Sequence, residues 1–303
     1  MKRKLGTWLL CLCLTPAAGA VAQHAPPDAG LLQRLAQARE ASRRERTVAV
    51  PASASAVRNV AYGTDPAQRL DIYLPARAGD TPVFFFVHGG GWAAGDKTNP
   101  GIEDKLEYWL AKGYAVVSAN YRMLPETAPL QQARDVALAV AAAQRGAREW
   151  GIDPRRFVLV GHSAGAHLVA LLGADPDLLA QAGARRPRGV VSLDSAAMDV
   201  PAMMAMPRIP PLYRRAFGAD RRDWVAASPY HRLSRDSLPL LAVCSSRRPD
   251  ACPQARALAR KAATLGARVE VSPEAMTHLQ INRDLGKPSD YTERVARFIG
   301  ALL

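Results

Sequence analysis

Ser163 lies in Gly161-His162-Ser163-Ala164-Gly165, directly after the apolar run Phe157-Val158-Leu159-Val160. A short, wholly apolar run reads as a buried parallel strand. Ala166 to Leu172 then continues with helical spacing. Strand, sharp turn and helix form the context that presents a serine hydroxyl at the apex of a strained turn. The flanking glycines have a purpose there, because without a Cβ the strand and helix can approach closely. We read Ser163 as a nucleophile. A serine needs a base, and six histidines are available. His24 lies near the N-terminus and His231 in a late insertion. His162 is inside the turn, His167 is on the helix after it, and His88 belongs to a glycine loop where a structural hydrogen bond is expected. His278 remains, between the last strand and the last helix, where it can act as general base and then general acid.

A third residue must orient His278 and stabilise its imidazolium. Asp250, the only carboxylate in the loop after the strand Leu238–Val243, is the expected acid. Asp194, after the preceding strand, is the alternative, with Asp199 behind it. Upstream, Val83-Phe84-Phe85-Phe86-Val87 is the most apolar strand in the chain and ends in His88-Gly89-Gly90-Gly91-Trp92. Successive glycines leave backbone N–H groups free to point into a cleft, as a developing oxyanion requires.

These residues need elements to hold them. The 303 residues are 49% apolar, ample for a core and contrary to disorder. Strand candidates are Leu70–Leu74, Val83–Val87, Ala115–Ser118, Phe157–Val160, Val190–Leu193, Leu238–Val243 and Arg268–Val271. Helical stretches of ten or so residues separate them, which means βαβ units and a mostly parallel sheet. Asp71-Ile72-Tyr73-Leu74 alternates and is expected at an antiparallel edge. The longest interruption, about 195–238, follows the sixth strand. It is rich in Met and Pro, so it either forms a lid over the strand ends or packs on the domain.

Lys2-Arg3-Lys4, the apolar stretch from Leu5 to Leu14 and Ala20-Val21-Ala22 read as a signal peptide over 1–22, cleaved near Ala22. The stretch is too short for a spanning helix. Export to the periplasm or medium is therefore expected, with no stable membrane anchor. Residues 23–59 read as an N-terminal arm or cap and 60–303 as the main domain. Cys11 and Cys13 leave with the signal, and Cys244 and Cys252 are expected to form a disulfide. The formal net charge is +13, but arginines scattered in twos and threes without interleaved aromatics read as solvated faces. No nucleic-acid partner is expected.

The chain resembles the α/β-hydrolases, in the HGGG/HGG-x-W esterase branch that includes hormone-sensitive-lipase-like, feruloyl and acetyl esterases and kynurenine formamidase. The resemblance runs from about Tyr62 to the C-terminus. It rests on Gln68 to Pro75, His88 to Trp92, Asn120 to Glu126, and Trp150 to Arg156 leading into Gly161–Gly165. It implies an α/β-hydrolase fold with helices on both faces of the sheet, and oxyanion N–H groups from Gly90, Gly91 and Ala164. It also implies a small-molecule ester substrate and neither metal nor organic cofactor; the insertion is smaller than the apolar lid a lipid-surface lipase needs, so short or aromatic acyl esters are expected. Formamide hydrolysis by the same machinery and a non-catalytic esterase-like binding protein are the alternatives. The branch's acid loop usually has glycine before the aspartate. Here it reads Cys244-Ser245-Ser246-Arg247-Arg248-Pro249-Asp250, so the disulfide is expected to fix Asp250 in place of that turn.

Overall fold

The computed structural model describes residues 46–303 apart from Ala78. The expected signal peptide, its cysteines, His24 and most of the expected arm lie outside the described residues.

In chain order the elements are β1 (Ser55–Ala61), β2 (Arg69–Leu74), β3 (Thr81–Val87), α1 (Ile102–Ala111), β4 (Ala115–Ala119), α2 (Pro129–Arg145), α3 (Ala147–Trp150), β5 (Ile152–His162), α4 (Ala164–Ala174), α5 (Asp177–Gln181) and β6 (Gly189–Leu193). Four short helices follow: α6 (Val200–Met204), α7 (Pro211–Phe217), α8 (Arg221–Ala226) and α9 (Pro229–Arg232). The chain ends with β7 (Leu240–Ser245), α10 (Ala251–Leu265), β8 (Val269–Glu274), α11 (His278–Arg283) and α12 (Asp290–Gly300).

The eight strands form one sheet in the order β1-β2-β4-β3-β5-β6-β7-β8. All pairs from β4 to β8 are parallel, whereas β2 pairs antiparallel with both β1 and β4. The antiparallel reading of 71–74 thus holds, but β1 takes the edge, starting at Ser55 inside the expected arm. Val48 is buried against the domain as well.

Strand β3 shows why an unbroken apolar run marks a central strand. Val83, Phe85 and Val87 face one layer with Phe157, Leu159, Val136 and Leu168. Phe84 and Phe86 face the other with Trp109, Val158, Val160 and Phe298. Because helices cover both faces, neither side of the pleat tolerates polar groups. Phe84 stacks on Trp109 at 4.7 Å between ring centroids. The insertion between β6 and β7 packs Met198, Met203 and Met204 inward and leaves Met206 exposed.

Candidate active site

The turn between β5 and α4 puts Ser163 at φ 56°, ψ −114°, left-handed backbone that a residue with a Cβ adopts only under constraint. That constraint is visible. Ser163 N–H donates to Leu193 O at 2.9 Å, and Ser163 O accepts from His167 N–H at 3.1 Å. A Cβ on Gly165 would fall on the carbonyls of Val87 and His88, and one on Gly161 on the carbonyl of Gly165. Only glycine permits this approach of helix, β5 and the end of β3.

His278 is the first residue of α11 rather than a loop residue. The Thr277 hydroxyl accepts Gln280 N–H while the Gln280 side chain accepts Thr277 N–H, a reciprocal cap that fixes the helix start. From there His278 Nε2 lies 3.0 Å from Ser163 Oγ, and Nδ1 lies 2.6 Å from Asp194 Oδ2. The carboxylate can only accept from Nδ1–H, which leaves Nε2 to take the serine proton. His162 Nε2–H donates to the His278 carbonyl at 2.9 Å and steadies the base from beneath. Burial pushes the His162 imidazole down to about 3, so it stays neutral.

Asp194 is fully buried just past β6, at φ 58°. Its N–H donates to Val243 O at 2.8 Å, and its Oδ1 accepts Ser245 N–H at 2.7 Å. Its Oδ2 takes both His278 Nδ1–H and Arg248 Nη1–H, the latter at 2.9 Å. Burial would raise this carboxyl, but the bonds from His278, Ser245 and Arg248 outweigh it and hold it at about 2.

Asp250 does not meet His278. Its Oδ2 accepts Arg248 Nη2–H at 3.0 Å, and its Oδ1 is buried without a hydrogen-bond partner. The expectation for the acid is therefore corrected: the arginine stands between Asp250 and the site, and Asp194 holds the imidazole. The disulfide Cys244–Cys252 is formed, with Cα atoms 5.1 Å apart. It closes the loop carrying Ser245, Arg248 and Asp250, so it ties down Asp194's partners rather than a carboxylate on His278.

The glycine loop after β3 runs at φ 126° for Gly90, 61° for Gly91 and 60° for Trp92. Gly90 O accepts Ala93 and Ala94 N–H at 3.2 and 3.0 Å. Among the described residues, no turn or loop hydrogen bond uses the N–H groups of Gly90, Gly91 or Ala164. His88 is buried and structural: its Nδ1–H donates to Gly89 O at 2.8 Å, and its ring stacks on Tyr121 at 4.5 Å.

The insertion reaches this loop. Leu212 on α7 lies 2.9 Å from where a Gly91 Cβ would stand. Trp92 meets Phe217 edge-to-face at 5.1 Å and Tyr213 at 5.9 Å. His167 Nε2–H donates to Ala227 O at 2.7 Å and its Nδ1 accepts Trp92 Nε1–H at 3.3 Å, which ties α4, the glycine loop and the insertion together. Burial lowers His167 to about 4. His231 stays in the insertion beside Ser228. Among the described residues no cluster of three or more His, Cys, Asp or Glu is arranged to hold a metal ion, and no helix is long and apolar enough to cross a membrane.

Two parts of this site escaped sequence reasoning: Arg248 on the acid, and the His162 and His167 supports. Their only sequence signal is adjacency to Asp250 and Ser163.

Comparison with known proteins adds to this geometry. Residues 70–183 match the BD-FAE family model, which takes in the glycine loop and the nucleophile turn. Probable isoprenylcysteine alpha-carbonyl methylesterase ICMEL1 of Oryza sativa is 38% identical over 120 residues, 39% of this chain and 28% of the relative. Esterase LipC of Mycobacterium tuberculosis is 36% identical over 120 residues, 38% of this chain and 29% of the relative. The match thus spans less than a third of either curated relative. Esterase B of Lactobacillus rhamnosis shares the fold at a TM-score of 0.67 and 21% identity, covering 91% of this chain and 93% of that structure. The sheet order, the strained serine turn and these matches agree on the fold: the chain is an α/β-hydrolase in architecture, and its residues 70–183 are similar to the BD-FAE family.

Proposed function

We propose that this protein is a serine carboxylic ester hydrolase. The observation that carries the reading is the unbroken chain Ser163 Oγ–His278 Nε2 at 3.0 Å and His278 Nδ1–Asp194 Oδ2 at 2.6 Å. In the proposed cycle Ser163 Oγ attacks the acyl carbon while His278 Nε2 takes its proton. The carbonyl electrons move onto oxygen, and the N–H groups of Gly90, Gly91 and Ala164 donate hydrogen bonds to the oxyanion so formed; each such donor contributes about 3 kcal/mol to the transition state. His278 protonates the departing alcohol, then deprotonates a water that attacks the acyl carbon; the Oγ–acyl bond breaks, the acid leaves, and His278 returns the proton to Ser163 Oγ. Asp194 keeps the proton on Nδ1 and stabilises the imidazolium.

The named esterase activity of the two curated relatives supports ester bonds as the target. The half-buried Leu212 and Tyr213, which the insertion sets beside the glycine loop on top of buried Trp92 and Phe217, support short or aromatic acyl groups. Export after cleavage near Ala22 belongs to the same proposal, and a disulfide in the β7–α10 loop suits an oxidising compartment.

The test is hydrolysis of a p-nitrophenyl ester series from acetate to palmitate by wild type and Ser163→Ala. Turnover that depends on Ser163 and falls beyond the short acyl chains is expected. Absence of serine-dependent hydrolysis across the series refutes the reading.

A further inference from the structure

Asp194 Oδ2 receives two donors at once. His278 Nδ1 approaches at 2.6 Å and Arg248 Nη1 at 2.9 Å, so the two nitrogens stand only 3.1 Å apart without bonding to each other. Nη1 also reaches the Asp194 carbonyl at 3.3 Å, while the other arm of the fork, Nη2, donates to Asp250 Oδ2 at 3.0 Å. One guanidinium therefore spans two carboxylates, a geometry that suits its planar fork and that an ammonium cannot reproduce.

An arginine is always charged. Alone at this distance it would oppose formation of the imidazolium and cancel much of the field by which Asp194 favours it. Asp250, on the far side of the fork, returns a negative charge to the cluster. From the geometry we infer that Arg248 and Asp250 act as a neutral pair of positioning residues: Arg248 fixes the Asp194 carboxylate for His278, and Asp250 compensates the charge Arg248 brings. This rests on the hydrolase reading above and names a control built onto it.

The surroundings fit. His278 is faced by Ser163 and neutral His162 from the β5 end, by Asp194 after β6 and by Arg248 from the β7–α10 loop. Lys105, on α1, acts on the His162 side. Tyr213 of α7 faces the Arg248–Asp250 side, where its hydroxyl is raised by burial and by Asp250 and lowered by Arg248. The Arg248 side chain is 24% exposed and that of Asp250 42%, against 0% for Asp194, so the pair forms the outer edge of the buried acid. The disulfide closes the loop that carries both.

The inference predicts shifts of opposite sign, which a packing role does not. The measurement is kcat/KM for p-nitrophenyl butyrate against pH in wild type, Arg248→Met, Arg248→Lys and Asp250→Asn. Activity rises with pH as the base loses its proton. Arg248→Met removes a cation beside the imidazole and should move the acid limb up by about one pH unit. Asp250→Asn leaves that cation uncompensated and should move the limb down by about half a unit. Arg248→Lys should restore the limb to within about 0.3 unit of wild type while lowering kcat, because one ammonium cannot hold both carboxylates. Limbs that stay in place, or that move the same way in Arg248→Met and Asp250→Asn, overturn the inference. Asp250 is half-exposed, so Asp250→Asn gives the sign even if Arg248→Met does not fold. A Ser163→Ala control separates the two failures. Activity that survives it sinks the hydrolase reading, whereas serine-dependent activity with an unmoved limb sinks the charge pair alone.

Discussion

Replacing the carboxylate that touches the base, and separately the one that does not, tests the site at its most specific point. In Asp194→Asn the shape is kept, and the new amide oxygen can still accept Ser245 N–H, which now lies 2.7 Å from Oδ1. The amide NH2 then faces His278 Nδ1, where a carboxylate oxygen accepts at 2.6 Å. Two donors cannot share that position, so the imidazole must carry its proton on Nε2, the nitrogen that has to accept it from Ser163. In buried triads the wrong tautomer costs about 10⁴ in kcat, or roughly 5.5 kcal/mol at 1.36 kcal/mol per decade. Asp250→Asn loses only a bond to a partly exposed arginine, so above the acid limb its kcat should fall by less than about tenfold. The assay is steady-state kcat on p-nitrophenyl butyrate at pH 8, normalised to sites counted by phosphonate titration. A second readout is independent of turnover. The Asp194 carboxyl is held at about 2 against an ordinary 3.8, so it contributes about 2 kcal/mol above pH 4 that is lost as pH falls through 2. Asp194→Asn should flatten the fall of the urea midpoint across that window. A crippled Asp250→Asn beside a mild Asp194→Asn would refute the reasoning.

Two further outcomes follow from the packing. Lys105 is fully buried, its ammonium donating to Asn282 O at 2.6 Å and Gly101 O at 3.0 Å, and burial lowers it from 10.5 to about 7. Between those values the unfolded chain binds the proton that the folded chain releases, so stability should rise from pH 7 to pH 10; urea midpoints should show this rise in wild type and lose it in Lys105→Met, and an equal slope in both would refute it. Reducing the Cys244–Cys252 bridge, or replacing both residues by Ser, should cost about 2.5 kcal/mol on the chain-entropy account. It should also lower kcat severalfold, because the loop it closes supplies Ser245 N–H and Arg248 to Asp194; unchanged Tm and kcat would show the strap to be idle.

What could be read from the sequence is what local sterics enforce. Gly161 and Gly165 flank Ser163 because no other residue allows helix and strand so close, and that requirement is written within five positions. The unbroken apolar run of β3 reports two covered faces, and His278 follows from its place after the last strand. Other features carry no such local signature. Strand β1 is mostly exposed and carries an irregularity between Val57 and Val60, with Asn59 at φ 57°, so its alternation is broken. The helices of the insertion run from four to seven residues and have too few turns to show a period. The acid has no local signature either, because both candidates fall between Ser163 and His278 in the chain. Which one meets the base depends on backbone angles and on a third residue.

That third residue explains why Asp194 and not Asp250 holds the base. Asp194 turns through φ 58°, which brings its carboxylate back under β7, where Ser245 N–H at the strand end meets Oδ1. The β7 loop carries no glycine between Cys244 and Asp250, and it sets Arg248 against its own aspartate. A loop neutralised in this way has little field left to stabilise an imidazolium from its own side. A chain that used the carboxylate after β7 would gain nothing from an arginine at position 248, since the cation would cancel the charge the base relies on. With the acid after β6 the same arginine becomes useful: it fixes a buried carboxylate that has only one backbone donor, and Asp250 keeps its charge from reaching His278 uncompensated. The departure of this loop from the usual pattern and the position of the acid are thus one fact, and removing Arg248 should disturb both.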